Sequence, residues 1–271
     1  MSWAGGDVTA VARCVLAPNP GPMTLDGTNT WVLSVPGAAR AVVVDPGPAD
    51  DAHLDRVVSA AAERGARVGL VLLTHGHLDH SESARAFAAR LGVGVRALDP
   101  AHRLGSEGLA GGDAVELDGL LVQVVATPGH TGDSLSFVLP DSGGLLTGDT
   151  VLGRGTTVVA HPDGRLADYL DSLDRLEALV AEGGLTDLLP GHGPALRDPL
   201  AVVQAYRRHR AERLEQVRAA VDAGARTPRE VVERVYADVP REVWPAAELS
   251  VRAQLVHLSG DDGTRRDHGS P

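Results

Sequence analysis

The chain has 271 residues, 43% of them hydrophobic, enough to bury an ordinary core as one large domain or as a domain with an appendage. Its net charge is −11, from 36 acidic against 25 basic residues, and every one of the 25 is arginine. The absence of lysine excludes Schiff-base, pyridoxal-phosphate and Walker-type chemistry, the single cysteine, Cys14, excludes an internal disulfide and a cysteine-rich zinc site, and the acidic balance argues against a large nucleic-acid footprint. No apolar run approaches the about 18 residues of a membrane span. The N-terminus lacks the basic start and apolar stretch of a signal peptide, so a cytoplasmic protein is expected. Composition is silent on oligomeric state.

In chain order, "NTWVLSV" (29–35) and "AVVVDPG" (41–47) read as apolar strands separated by a Pro-Gly turn. Residues 51–64 carry Leu54, Val57, Val58 and Ala61 at helical spacing, with Gly65 where a helix would stop. "RVGLVLLTH" then runs as a short buried strand, and 81–92 reads as a helix with Ser81 as its N-cap. Strand-like segments follow at 93–98, 120–130, 134–140 and 144–150, then a helix at 166–183 and a last strand within 186–193. Strands alternating with helices, plus hairpins, predict an α/β layered domain over 1–196, with mixed or antiparallel sheets. From 197 to 260 the character changes to three amphipathic helices, at 199–224, 227–239 and 245–258, with Thr227 as N-cap and Pro228 at the first helical position of the second. Residues 261–271 are polar and expected to be disordered.

The chemistry is carried by "THGHLDH" (74–80), which packs His75, His77, Asp79 and His80 behind a buried strand. Imidazole and carboxylate suit borderline divalent metals. Four ligands so close together suit two ions side by side better than one. Further candidates stand at strand ends with glycine beside them: His130 in "TPGHT", Asp149 in "TGDT" and His192 in "PGHG". The set His75, His77, Asp79, His80, His130, Asp149 and His192 fits a binuclear site bridged by a carboxylate. His53, His102, His209, His257 and His268 have no such setting and read as ordinary solvated or core residues.

"THGHLDH", "TPGHT", "TGDT" and "PGHG" resemble, in order, the motifs of the metallo-β-lactamase superfamily, over about residues 25–195. The resemblance implies a four-layer αββα sandwich with a binuclear site at one edge. It assigns His75, His77 and His130 to the first ion and Asp79, His80 and His192 to the second, with Asp149 bridging. Zinc is the implied metal, with manganese and iron as alternatives. Zinc β-lactamases of the best-known type carry cysteine where this chain has Asp149, which argues against antibiotic hydrolysis. The trailing helices, "NPGPMTLDGTNTWVL" and "LGRGTTVVAHPDG" are most similar to the lactamase-beta-two-like branch, in which the C-terminal helices form a small winged-helix-like domain. That branch includes an endoribonuclease acting on single-stranded RNA and polyketide thioesterases. Two departures stand out: Ser81-Glu82-Ser83 replaces a Gly-Gly of many relatives, and the lysine and tyrosine contacts of glutathione-binding relatives have no counterpart.

The expected activity is hydrolysis by a hydroxide held between the two ions, with Asp79 orienting the nucleophile and taking its proton. Single-stranded RNA is the first expected substrate, on the branch resemblance and the basic stretch "RRHRAER" (207–213). A thioester or related small acyl ester is the alternative, which suits an acidic, aromatic-poor chain better. A non-catalytic metal-binding protein is the third reading, disfavoured by the complete ligand set. Asn29, Arg154 and His161 are candidate substrate contacts at the mouth.

Overall fold

The structure is a computed structural model and describes residues 2–260; the expected disordered tail, 261–271, lies outside the described residues. The N-terminal half builds β1 (Gly6–Asp7), β2 (Ala12–Leu16), β3 (Asn29–Leu33), β4 (Arg40–Val44), α1 (Asp51–Glu63), β5 (Arg67–Leu72), α2 (Leu78–Ser81), α3 (Ala84–Leu91) and β6 (Val95–Arg96). Its six strands lie in sequence order, antiparallel up to β4 and parallel from β4 to β6. The second half builds β7 (Ala114–Leu117), β8 (Leu120–Ala126), β9 (Leu135–Leu139), β10 (Gly144–Gly148), α4 (Leu166–Ala181), β11 (Asp187–Pro190) and β12 (Leu196–Arg197). These strands form a second six-stranded sheet in the order β12-β11-β10-β9-β8-β7, parallel only between β10 and β11.

Side-chain alternation explains the layering. Trp31, Leu33, Val42, Val44 and Leu72 of the first sheet meet Val122, Val124, Leu135, Phe137, Leu139, Leu146 and Leu189 of the second in one core. The intervening residues, Val32, Ala41, Val43 and Val71, face the other way and pack under α1 and α3 with Leu54, Val57, Ala61, Phe87 and Ala88. Val138, Leu145 and Leu188 likewise turn outward onto Tyr169, Leu173 and Leu176 of α4. Strands covered on both faces read as continuous apolar runs, which is why "AVVVD" and "GLLTG" show no polar alternation. The result is the expected αββα sandwich.

The expected helix from Ser81 is broken. Ser81 ends α2 instead of capping a helix, because its hydroxyl donates to the Gly76 carbonyl (2.9 Å) and closes the histidine-rich loop on itself. Ser83 Oγ donates to Gly47 O (2.9 Å), and Glu82 accepts from the Ala49 amide (3.0 Å). The Ser-Glu-Ser that departs from the Gly-Gly pattern therefore ties this loop to the loop that follows β4.

The C-terminal region is α5 (Pro199–Asp222), α6 (Pro228–Val235) and α7 (Trp244–Ser259), with Thr227 Oγ1 accepting from Glu230 N as the cap of α6. Val203 and Tyr206 of α5 belong to the core under α4, whereas Val217 and Ala220 pack with Val231, Val232, Trp244 and Val251. One 24-residue helix is thus shared by both cores. Among the described residues no helix is long and apolar enough to cross a membrane.

Phe137 is fully buried between the sheets. Phe137→Ala is expected to cost about 3–5 kcal/mol of stability, read as a lower urea midpoint at unchanged slope.

Candidate metal centre

The candidate ligands gather where strands end. The loop after β5 supplies His75 and His77 and the short α2 supplies Asp79 and His80; the loop after β8 supplies His130; Asp149 follows β10 and His192 follows β11. The structure brings all seven together.

His77 Nδ1 lies 3.1 Å from His75 Nε2 and 3.0 Å from His130 Nε2. One ring nitrogen cannot bridge two others through a single proton, so the three converge on a common centre. Ligands about 2.0–2.1 Å from a tetrahedral zinc are separated by about 3.3 Å, close to what is found here. In a second group, His192 Nε2 lies 3.1 Å from Asp79 Oδ2 and 3.2 Å from His80 Nε2, with His80 Nε2 3.5 Å from Asp79 Oδ2.

Asp149 faces both groups. Its Oδ2 is 3.3 Å from His192 Nε2 and 3.7 Å from His130 Nε2, and its Oδ1 is 3.5 Å from His80 Nε2. That Oδ1 is buried without a hydrogen-bond partner, a costly state for a carboxylate and one that a cation relieves. A Cβ on Gly191 would stand 2.4 Å from this oxygen, so only glycine leaves it room. The donor set, its convergence and the orphaned oxygen all fit two divalent cations.

The outer nitrogens are fixed by acceptors. His130 Nδ1 donates to Val158 O (2.8 Å), His192 Nδ1 to Gly27 O (3.2 Å) and His80 Nδ1 to Asp45 Oδ2 (2.9 Å). Asp45 also accepts from Thr74 N (2.8 Å) and Thr74 Oγ1 (2.6 Å), and that hydroxyl in turn accepts from His75 Nδ1 (3.0 Å). One carboxylate therefore orients a ligand in each group, leaving each Nε2 free to face inward.

Electrostatics agree with this assignment. Burial works against the charge of Asp149, but His192 and His80 beside it hold the carboxyl well below its ordinary value. On Asp79 burial is likewise outweighed, by the His192 hydrogen bond and the His80 charge, and the carboxyl falls to about 2. Burial pushes His75 and His130 down, toward the neutral imidazole that binds metal. On His80 and His192 burial is overridden by the carboxylates, chiefly Asp149, and both are raised, His192 to about 9. Without cations, these two protons balance the two carboxylates. Divalent ions would take over that balance.

The other expected contacts fare differently. Asn29 does not line the mouth. It is fully buried, its amide donates to Pro190 O (2.9 Å) and Gly193 O (2.8 Å), and its oxygen accepts from Trp3 Nε1 (2.8 Å) and Cys14 Sγ (3.2 Å). Every polar atom it has is engaged in stapling β3 to the loop after β11. Arg154 does line a cavity of about 370 Å³ beside the site, but it is paired with Asp26 at 2.7 Å. His161 lies outside that lining, and its amide reaches Leu249 O of α7 (3.4 Å). Of the histidines read as ordinary, His53 is a core residue 2.9 Å from Thr30 Oγ1, whereas His209 lines the cavity. His268 lies outside the described residues.

Sequence reasoning missed Asp45. It follows the apolar run of β4 with Gly47 two residues on, the same signal that singled out Asp149, and its left-handed backbone (φ 52°) aims it at the loop after β5.

Residues 23–192 match the metallo-beta-lactamase superfamily, and 227–270 match the beta-lactamase associated winged helix domain. The chain belongs to the metallo-β-lactamase superfamily. Within it, the chain is 32% identical over 274 residues to the beta-lactamase-like protein 2 homolog of Caenorhabditis elegans, covering 96% of this chain and 87% of that relative. It is 34% identical over 245 residues to the atrochrysone carboxyl ACP thioesterase of Aspergillus fumigatus, covering 84% of this chain and 74% of that one. A beta-lactamase domain protein from Burkholderia ambifaria has the same fold, with a TM-score of 0.79 at 24% identity over 96% of this chain and 90% of that chain. The chain is thus a metallo-β-lactamase superfamily hydrolase with clustered histidine and aspartate groups that could hold metal.

Asp45→Asn should leave the fold intact yet weaken metal binding about 10- to 100-fold, measured by competition with a chromophoric chelator.

Proposed function

We propose that this chain is a metal-dependent acyl thioesterase. The observation that carries this reading is the cavity that begins at His130 and Asp149. It runs between the segment holding Pro22, Met23 and Leu25 and the α6–α7 region, where Tyr236, Val239, Val243, Ala246 and Ala247 line it. Its walls are mostly apolar, which suits an acyl chain whose carbonyl lies over the metal ligands. The thioesterase relative supports the same class.

The RNA reading drew on the branch resemblance and on the basic stretch 207–213; of the four arginines there, Arg208 is exposed and the other three turn to partners within the protein. Arg207 pairs with Asp174 (2.7 Å) and Glu177, Arg210 donates to Thr157 O, and Arg213 donates to Val235 O (2.7 Å). Tyr236, the one aromatic residue lining the cavity, is covered by the Arg213 guanidinium at 4.3 Å. Of this stretch, Arg208 alone is left exposed without an acidic partner among the described residues, too little for a continuous basic track, and Tyr236 is no open platform for a base.

We assign the metal as zinc, held by the seven ligands. Two such ions would lower the pKa of a water and offset the negative charge developing on the acyl oxygen. The chain supplies the proton handling. Against its burial, Asp79 is held ionised by the His192 hydrogen bond and the His80 charge, so its carboxylate is the group that would receive the proton of the attacking water. Water adds to the carbonyl carbon, the C–S bond breaks, and the proton passes from Asp79 to the departing thiolate, leaving a carboxylic acid and a thiol.

The test pairs an acyl thioester with a single-stranded RNA on the metal-loaded protein, with metal analysis alongside. Thioester cleavage with little salt dependence is expected. It should be lost on chelation, restored by zinc, and abolished by Asp79→Ala and by His130→Ala. Cleavage of RNA alone, falling steeply with salt, would overturn the reading.

A further inference from the structure

Three residues from one stretch of α5, His209, Arg210 and Arg213, line the same cavity as His130 and Asp149. Spacings of three and four put Arg210 and His209 beside Arg213 on one helix face. Among the residues lining this cavity, Asp149 is the sole carboxylate and belongs to the metal centre. Arg154 has its counter-charge in Asp26. Among the described residues, Arg210 and Arg213 have no carboxylate within ion-pair distance, although the chain carries 36 acidic residues.

This lack of a counter-charge is unusual because Arg210 is 7% exposed. Its guanidinium sits 4.9 Å over the Tyr169 ring and donates to Thr157 O, while its Nε is buried with no partner. Arg213 is half-buried, lies over the Tyr236 ring, and spends one N–H on Val235 O. Each guanidinium has five N–H donors in a planar fork, so most of their capacity is unspent. The aromatic faces fix the planes of both forks. His209 Nδ1 is also buried without a partner. Burial, then the Arg210 and Arg213 charges, hold that imidazole below its ordinary value, so it is neutral and able to donate a hydrogen bond beside the guanidiniums. A buried cation without a counter-ion is costly; a cavity lined by buried Arg210 and half-buried Arg213, neither with a carboxylate, is built to receive the counter-ion from outside.

We propose that Arg210, Arg213 and His209 form an anion-recognising subsite that takes a carboxylate or phosphate group carried by the substrate. The chemistry is shared by two sources: an acid group on the acyl part, or a phosphate on the thiol part of a nucleotide or pantetheine thioester. The inference rests on the thioesterase reading for the position of the reacting carbonyl, but anion binding itself does not require that reading.

The experiment measures binding of glutarate and of methyl phosphate to the metal-loaded protein by calorimetry. Arg213→Gln is compared with the unaltered chain, so that any anion binding at the metals is common to both. Arg213→Gln is expected to weaken binding of at least one probe by about tenfold or more, and Arg213→Lys, which keeps the stem and the charge, should recover part of the loss. Loss on glutarate alone assigns the acyl side, loss on methyl phosphate alone assigns the thiol side, and loss on both establishes a general anion subsite. Equal affinities in the two proteins would overturn the proposal. A second measurement needs no variant: the His209 ring resonances of the unaltered protein should shift on titration with the bound probe, and their failure to move also overturns it. Kinetics then compare thioesters of N-acetylcysteamine with matched neutral and carboxylate-ended acyl chains. In the acyl-side case the KM of the second alone rises in Arg213→Gln. A protein that binds anions through Arg213 yet hydrolyses no thioester keeps the subsite and loses the thioesterase reading.

Discussion

Two ionised carboxylates, Asp79 and Asp149, are held among five imidazoles in a notch with a buried floor and a rim open to solvent at His77, and the rest of the domain is arranged around that concentration of charge. Asp149 Oδ1 is buried with no hydrogen-bond partner, and the room beside it exists only because residue 191 is glycine. A carboxylate in that position is stable only with positive charge nearby. The neighbouring rings supply that charge as protons when no cation is bound, and cede it to metal when one is. The other requirements follow from this one. The rings must present the correct nitrogen, so the outer nitrogens of His75, His80, His130 and His192 are tied to a carbonyl or to the Asp45–Thr74 pair. The strands that deliver them must hold register across two sheets, so Asn29 and Trp31 of the first sheet both donate to Pro190 O at the end of β11.

Much of this was legible in the order of residues, for a physical reason. A strand buried on both faces is a run of apolar residues, and the first polar side chains beyond it must lie at the sheet's edge. His75, His130, Asp149 and His192 are the first histidine or carboxylate residues beyond such runs. The αββα layering is legible on the same grounds, because runs such as 41–44 and 135–139 have no face for solvent. Less visible were contacts between segments far apart in the chain. Asn29 has the composition of a turn residue, and only the approach of Trp3, Cys14, Pro190 and Gly193 turns it into a buried staple. Ser81 has the chemistry of a helix cap, but the sharp loop through Gly76 claims its hydroxyl first. Asp45 was within reach of the same reasoning that found Asp149. Its role as an orienting group, not a ligand, depends on the parallel pairing of β4 with β5, which local pattern does not specify.

The basic stretch on α5 illustrates how far composition can mislead. Four arginines within seven residues look like a polyanion track. In the folded chain Arg207 is held by acids of α4, and Arg210 and Arg213 turn inward toward the cavity, away from solvent. Charge that reads in sequence as one polyanion track is divided in the fold between pairing with α4, the lining of a small chamber and a single exposed residue, Arg208.

α5 is one uninterrupted helix whose first half is cemented beneath α4 and whose second half anchors α6 and α7. The far wall of the chamber is therefore mounted on the same beam as the near wall, and it stands at a set distance from the hydrolytic machinery. Selectivity in such a frame is a matter of side-chain size at 236–247 and of the charges on the beam itself. Changing side chains at those positions would resize or recharge the chamber without touching the candidate metal ligands, which lie on other elements.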